Sequence, residues 1–251
     1  MLKPKKSLGQ HFLTDESVID RMIDAISKLD IDNLIEIGPG EGVLSKDLLP
    51  KYPEMSLIEL DRESIAYLRN LYPYLNERLI EADVLKWKIP EGQWTIVGNF
   101  PYNISSQIIF KMIENRTQVP ALVGMFQKEV AQRIVAPSGS RTYGILSVLT
   151  QAFYTGEYLF TVDEHAFRPP PRVKSGVIKL VRKEKLELEC DIPFFFAIVK
   201  QAFNQRRKML RNSVKSFLTE TNLPLVEEYL TMRPEQLNVE DFVKLARHLK
   251  P

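Results

Sequence analysis

Residues 33–42 read NLIEIGPGEG, that is Asn33-Leu34-Ile35-Glu36-Ile37 followed by Gly38-Pro39-Gly40-Glu41-Gly42. A short apolar run that passes into glycines at alternate positions reads as a buried strand entering a tight turn. Glycine tolerates positive φ and lets the backbone approach a ligand closely, and the helix expected next offers unpaired N–H groups. A nucleotide-like ligand fits such a turn, and so does a plain strand-to-helix connection. The spacing is G-x-G-x-G, which departs from the dinucleotide fingerprint.

Outward from this stretch, β-rich runs alternate with helical patterns as far as about residue 183: SLIEL at 56–60, RLIEAD at 78–83, TIVGN at 95–99, LVGMFQ at 122–127, EYLFTV at 157–162 and GVIKLV at 176–181. Strands separated by helical crossovers predict a mainly parallel seven-stranded α/β sheet with helices on both faces. The last two runs are separated only by the loop carrying Pro169-Pro170-Pro171, which suits an antiparallel hairpin at the sheet edge, with the last strand antiparallel. Beyond Lys185 the pattern is helical without strands. This predicts two domains, 1–185 and a small helical one at 186–251. In IPFFFAIVKQAFNQRRKMLRNSVKSFL, read as one helix, Phe203, Leu210, Val214 and Phe217 fall on one face and Arg207, Arg211 and Lys215 on another.

The totals exclude several classes. At 251 residues and 44% hydrophobic the chain can bury a sizeable core. No apolar run approaches the roughly 18 residues of a membrane helix, and the amino-terminal MLKPKKSLGQHFL lacks the long apolar stretch of a signal peptide, so a cytoplasmic location without membrane contact is expected. One cysteine, Cys190, excludes an internal disulfide, and with three histidines there is no spaced cluster for a metal. A net charge of +2 argues for no partner by itself. Its distribution is more informative: Lys3, Lys5 and Lys6 cluster at the amino terminus, and FNQRRKMLRNSVK at 203–215 contains no acid.

The strand ends carry the chemistry. Glu59-Leu60-Asp61 places a carboxylate where both hydroxyls of a ribose can be accepted, whereas Asp61, ahead of Arg62-Glu63-Ser64, also suits a helix cap. Ala82-Asp83-Val84 puts a second carboxylate on the same edge, within reach of an adenine amino group. With Gly38, Gly40, Leu60 and Val84 these residues describe an adenosyl pocket. At the fourth strand end stands Asn99-Phe100-Pro101-Tyr102-Asn103-Ile104-Ser105. The exocyclic amine of adenine is a poor nucleophile because its lone pair is delocalised into the ring. Two acceptors gripping its hydrogens favour a pyramidal nitrogen. Asn99 supplies one, the Phe100 carbonyl held by Pro101 the second, and Tyr102 a face on which the base stacks. A strand-ending turn with a packed tyrosine is the plainer alternative.

Together SLGQHFLTD, EIGPGEG, IELD, EADVL, NFPYNIS, FRPPPRVKSGVI and FNQRRKMLRNS resemble, in order and almost end to end, the small-subunit (16S) ribosomal RNA adenine N6,N6-dimethyltransferases, the KsgA family. The resemblance implies a class I methyltransferase fold with S-adenosyl-L-methionine as cofactor and a helical carboxyl-terminal domain. It also implies dimethylation of two adjacent adenosines near the 3′ end of 16S rRNA in the small (30S) ribosomal subunit during ribosome biogenesis. It places the cofactor against His11, Leu13, Gly38, Glu59, Asp83 and Asn99, and it makes Phe167 a second aromatic wall opposite Tyr102. His11 stands where many relatives carry asparagine, and Phe100 where leucine is common. The basic residues Arg206, Arg207, Lys208, Arg211 and Lys215 would bind rRNA phosphate, with Lys3, Lys5 and Lys6 extending the track. A monomer is the default expectation.

Two other readings compete. A large-subunit rRNA adenine methyltransferase would share the Asn-x-Pro-Tyr segment and the glycine turn. A ribosome-assembly factor without turnover would keep the fold alone. An NAD-dependent dehydrogenase fails on the glycine spacing.

Overall fold

The computed structural model describes residues 2–5 and 8–250. In chain order the elements are β1 (Phe12–Leu13), α1 (Glu16–Ser27), β2 (Asn33–Ile37), α2 (Ser45–Leu48), β3 (Ser56–Glu59), α3 (Arg62–Leu71), β4 (Leu79–Glu81), β5 (Trp94–Asn99), α4 (Ser105–Glu114), β6 (Ala121–Gln127) and α5 (Lys128–Ile134). There follow α6 (Ile145–Phe153), β7 (Tyr154–Val162), β8 (Phe167–Arg168), β9 (Ser175–Arg182), α7 (Ile192–Asn204), α8 (Leu210–Ser213), α9 (Leu223–Leu230) and α10 (Val239–Leu249). Two compact units emerge, one from residues 1–131 and 156–182, the other from 132–155 and 183–251.

The larger unit is built on a seven-stranded sheet ordered β4-β3-β2-β5-β6-β9-β7. Its central strands are apolar on both faces, as a sheet covered on both sides requires: Leu34, Ile35 and Ile37 of β2 and Leu122, Val123 and Met125 of β6 are all buried. The pairs β3–β4, β2–β3, β2–β5 and β5–β6 are parallel, and β9 runs antiparallel to β6 with Gly124 opposite Ile178. Seven strands with an antiparallel last strand are those read from the sequence. The last two strands also take the expected place at one edge of the sheet. β9 lies inside the sheet, between β6 and β7, and β7 forms the edge. Burial explains the order, because residues 175–178 of β9 are all enclosed while most of β7 is partly or fully exposed.

A two-stranded ribbon has no counterpart in the sequence reading: β1 pairs antiparallel with β8, Leu13 opposite Phe167 and Phe12 opposite Arg168. Two-residue strands carry no periodicity to detect. The segment that follows is set by local chemistry. Asp15 caps α1, accepting from Ser17 N and Val18 N, and Val18, Ile19, Met22, Ile23 and Ile26 bury one helical face. Each such side chain contributes about 1.5–3 kcal/mol on burial.

In the helical unit, Asp191 caps α7 and the rings of Phe153 and Phe196 meet edge to face at 6.2 Å, with those of Phe203 and Phe242 5.8 Å apart. The pattern of elements places a domain boundary at 185, and the helical compact unit also includes α6 from the earlier stretch 132–155.

The long helix expected across 192–218 is broken. α7 stops at Asn204, Gln205 leaves helical geometry (φ −121°, ψ 46°), and Met209 is extended (φ −64°, ψ 148°). Asn204 to Lys208 offers no apolar side chain to the core, so tertiary packing has nothing with which to hold another helical turn. The chain re-enters at Leu210, whose N–H donates to the Met232 carbonyl at 2.8 Å. Phe203, Leu210 and Val214 are nonetheless buried, whereas Phe217, the fourth residue of the expected face, is only half-buried in a 3₁₀ turn.

Candidate active site

The carboxyl-terminal ends of β2, β3, β4 and β5 surround a cavity of about 210 Å³. Parallel register brings this about: Ile37 pairs with Ile58 and Glu59 with Glu81, so the residues that leave each strand emerge side by side. His11, Leu13, Gly38, Gly40, Glu59, Leu60, Asp83, Val84, Asn99, Phe100, Pro101 and Tyr102 all line it. Phe167 does not.

The glycine turn has the backbone its sequence implies. Gly38 and Gly40 adopt φ of +68° and +56°, and a Cβ on Gly40 would lie 3.0 Å from the Phe12 ring. The helix that follows is only the four residues of α2, and its first amides are already engaged: Lys46 N donates to Gly42 O, and Asp47 N and Leu48 N to Leu44 O. The amides of Lys46, Asp47 and Leu48 are thus spent within the helix and its turn, and the cavity is lined on this side by the glycine turn itself.

Glu59 is nearly enclosed and held by backbone donors. Its Oε1 accepts from Leu60 N at 2.8 Å and Asp61 N at 2.9 Å, and its Oε2 accepts from Gly40 N at 3.2 Å. Oε2 thus retains acceptor capacity on the cavity side. Burial pushes the Glu59 carboxyl above its ordinary value, against the pull of those three N–H groups. Asp61 caps α3, accepting from Glu63 N, and also takes Lys5 Nζ at 2.5 Å and Gln10 Nε2 at 3.3 Å. Burial would raise its carboxyl, but the Lys5 and Gln10 hydrogen bonds hold it below the ordinary range. Asp83 Oδ1 accepts from Leu85 N at 2.9 Å, which fixes its direction at the end of β4.

At the end of β5, Asn99 Nδ2 donates to the His11 carbonyl at 2.9 Å. A carbonyl only accepts, so this bond sets the amide orientation and leaves Oδ1 as the atom Asn99 presents to the cavity. The Phe100 N–H donates to Met125 O at 3.1 Å, and the Phe100 ring is fully buried over Gly124, where a Cβ would stand 2.0 Å from Phe100 Cε2. Glycine on the neighbouring strand is what admits that ring. Tyr102 is half-buried, with its hydroxyl 2.5 Å from Ser175 Oγ; burial raises its phenol and the Ser175 bond lowers it, the former prevailing. The His11 ring stacks beside Tyr102 at 5.6 Å and 27°. His11 Nδ1 lies 2.7 Å from the Pro169 carbonyl, so Nδ1 carries the proton.

The geometry bears on three further expectations, of which only the helical form of the basic run is overturned. Phe167 is 3% exposed and belongs to the apolar core with Leu13 and Val18, and the ring that stacks beside Tyr102 is His11. Lys5 is no free cation, because its ammonium pairs with Asp61 at 2.5 Å and Glu63 at 3.0 Å; Lys3 is exposed and Lys6 lies outside the described residues. The basic run is not a helical stripe. Arg207 and Lys208 are exposed in a turn, Arg211 on α8 and Lys215 in a 3₁₀ turn, and Arg206 Nη2 donates to Arg141 O at 2.6 Å.

Glu36 was missed. It is 1% exposed on the cavity wall, accepts from Ser45 Oγ at 2.5 Å, and burial pushes its carboxyl up to about 7, with Ser45 opposing and the Glu59 charge adding. The available signal is an acid set among the apolar residues Leu34, Ile35 and Ile37 of the strand.

Among relatives, the ribosomal RNA small subunit methyltransferase A of Flavobacterium johnsoniae is 52% identical over 253 residues, covering 99% of this chain and 97% of that protein. The protein of the same name from Bacteroides thetaiotaomicron is 50% identical, covering 100% and 95%. A crystal structure of a dimethyladenosine transferase from Plasmodium falciparum matches with a TM-score of 0.81 at 27% identity over 94% of this chain and 96% of that one. The 23S rRNA methyltransferase ErmE shares the fold, with a TM-score of 0.73 at 24% identity, over 95% of this chain and 99% of its own. The family profile for ribosomal RNA adenine dimethylase matches residues 1–250, and the chain belongs to that family.

Proposed function

We propose that this protein dimethylates adenine N6 amino groups of small-subunit rRNA with S-adenosyl-L-methionine as methyl donor, its targets being two adjacent adenosines near the 3′ end of 16S rRNA in the 30S subunit or its precursor. The observation that carries the reading is the Asn99 amide. Its donor end is taken up by the His11 carbonyl, which leaves Oδ1 to accept, and Asn99 lines the same cavity as Glu59 and Asp83.

The residues present fit the cofactor. The positive-φ glycines line the cavity without side chains to fill it, Glu59 Oε2 would accept a ribose hydroxyl, and Asp83 at the next strand end would accept the adenine amine. When bound, the cofactor supplies a sulfonium methyl electrophilic enough to need no activated base before attack. Asn99 Oδ1 and the Phe100 carbonyl draw the two N6 hydrogens out of conjugation, and Tyr102 holds the base by stacking, worth about 1–3 kcal/mol. With the two hydrogens so held, the N6 lone pair would be directed toward the methyl group that the bound donor would present, and the N6 proton displaced on transfer would pass to solvent. Rigid placement at a strand end does most of the work.

Arg207, Lys208, Arg211 and Lys215, with Arg206 beside them, contact rRNA phosphate, so the helical part at 186–251 serves RNA while 1–185 holds cofactor and chemistry. Among the described residues no helix is long and apolar enough to cross a membrane, in keeping with work on ribosomal subunits in the cytoplasm.

The test is incubation with methyl-labelled cofactor and undermethylated small subunits, followed by mapping of the label. Two adjacent dimethylated adenosines near the 3′ end of 16S rRNA are expected. Label confined to large-subunit rRNA, or none in either, overturns the reading.

A further inference from the structure

Lys111 lies on α4, the helix that begins where the Asn99–Tyr102 turn ends, and its side chain reaches the strand end that carries Asp83. Its ammonium donates to Trp87 O at 2.5 Å and to Leu85 O at 3.4 Å. Those carbonyls close a single turn of backbone: Lys86 N and Trp87 N donate to Asp83 O at 3.0 and 2.9 Å, and Leu85 N to Asp83 Oδ1 at 2.9 Å. One turn leaves its last carbonyls without partners of its own, and here a separate element supplies the donor.

The position is a costly one for a cation. Lys111 is only partly exposed and lines a small apolar hollow with Val84, Trp87 and Ile108. Burial lowers its ammonium below the ordinary lysine value, while the Glu114 and Asp83 charges raise it. Methionine would fill the hollow without that desolvation cost but could not donate to either carbonyl.

We propose that Lys111 is the positioning residue for the adenine end of the cofactor site, tying the Asp83–Trp87 turn to α4 and so setting the direction of the Asp83 carboxylate. The inference rests on the reading of Asp83 as the adenine acceptor. Lys111 touches neither cofactor nor reacting atoms; it acts through the turn that Asp83 opens.

The experiment is calorimetric binding of S-adenosylhomocysteine and of methylthioadenosine, which keeps adenine and ribose but lacks the amino-acid end, to the full chain and to Lys111→Met, Lys111→Arg, Asp83→Asn and the Lys111→Met/Asp83→Asn pair. Lys111→Met is expected to weaken both ligands equally, by about tenfold, as loss of a charge-assisted hydrogen bond would. Lys111→Arg should restore most of that affinity. The double variant should bind no more weakly than the weaker single one, and KM for the methyl donor should rise about tenfold while kcat changes less than about threefold. Unchanged affinity in Lys111→Met beside weakened binding in Asp83→Asn overturns the role of Lys111 alone. So does a lowered melting temperature without an affinity change, or losses that multiply in the double variant. Full affinity in Asp83→Asn removes the reading of Asp83 and, with it, this proposal.

Discussion

The strand ends of the larger unit and the basic run at 203–215 both show functional residue types at a regular spacing, and the structure preserves that spacing in one and breaks it in the other. At the strand ends a parallel ladder fixes register within a few residues of each site, Ile37 beside Ile58 and Glu59 beside Glu81, so candidates far apart in sequence meet on one wall. The basic run needed an unbroken helix for thirteen residues, and the helix stops at Asn204. Local geometry survives translation into three dimensions when neighbouring strands enforce it. Helical phase is lost across the non-helical stretch 205–209.

The largest effect expected from sharpening this contrast is at Phe167. If its ring is core, Phe167→Ala should destabilise the protein by about 3–5 kcal/mol in chemical denaturation. A variant with full stability and a selective loss of methylation would restore Phe167 to the substrate's side. Next comes Asn99→Ala, expected to slow methyl transfer roughly a hundred- to a thousand-fold, by analogy with loss of one preorganised polar group at a reacting centre, while S-adenosylhomocysteine still binds. Label transferred at the unmutated rate would break the strand-end reading at its centre.

Glu36 gives a pH-resolved test of the same wall. Unfolded, its carboxyl ionises near 4.5, and folded near 7. Between those values the folded state keeps a proton that the unfolded state has lost, so stability falls as pH rises through the window. Glu36→Gln should therefore gain on the unmutated protein by about 3 kcal/mol between pH 4.5 and pH 8, measured as the difference in unfolding free energy. Parallel pH profiles would place the Glu36 carboxyl in contact with solvent.

The smallest effects belong to the basic run. Each of Arg207→Ala and Arg211→Ala should reduce the slope of log affinity for small-subunit rRNA against log salt by roughly 0.7–0.9. Lys5→Ala should leave the slope nearly unchanged, because Asp61 and Glu63 already neutralise that ammonium. Equal slopes for all three variants would show that the paired and unpaired cations contribute alike.

Several features were legible in advance because they are local. Alternating glycines force the Gly38–Gly42 turn, a carboxylate followed by a helical pattern makes Asp61 a cap, and apolar runs of strand length mark the sheet. Residue chemistry determined that an acceptor-rich edge would face a cavity. Only tertiary structure decided that β9 enters the sheet inside β7, that Phe167 turns into the core through its pairing with Leu13, and that the His11 carbonyl orients the Asn99 amide across 88 positions of sequence. Those outcomes depend on contacts between residues distant in the chain. Propensity and periodicity describe neighbours within a turn or a strand, so they carry no information about which remote partner will saturate a given hydrogen bond or cover a given ring.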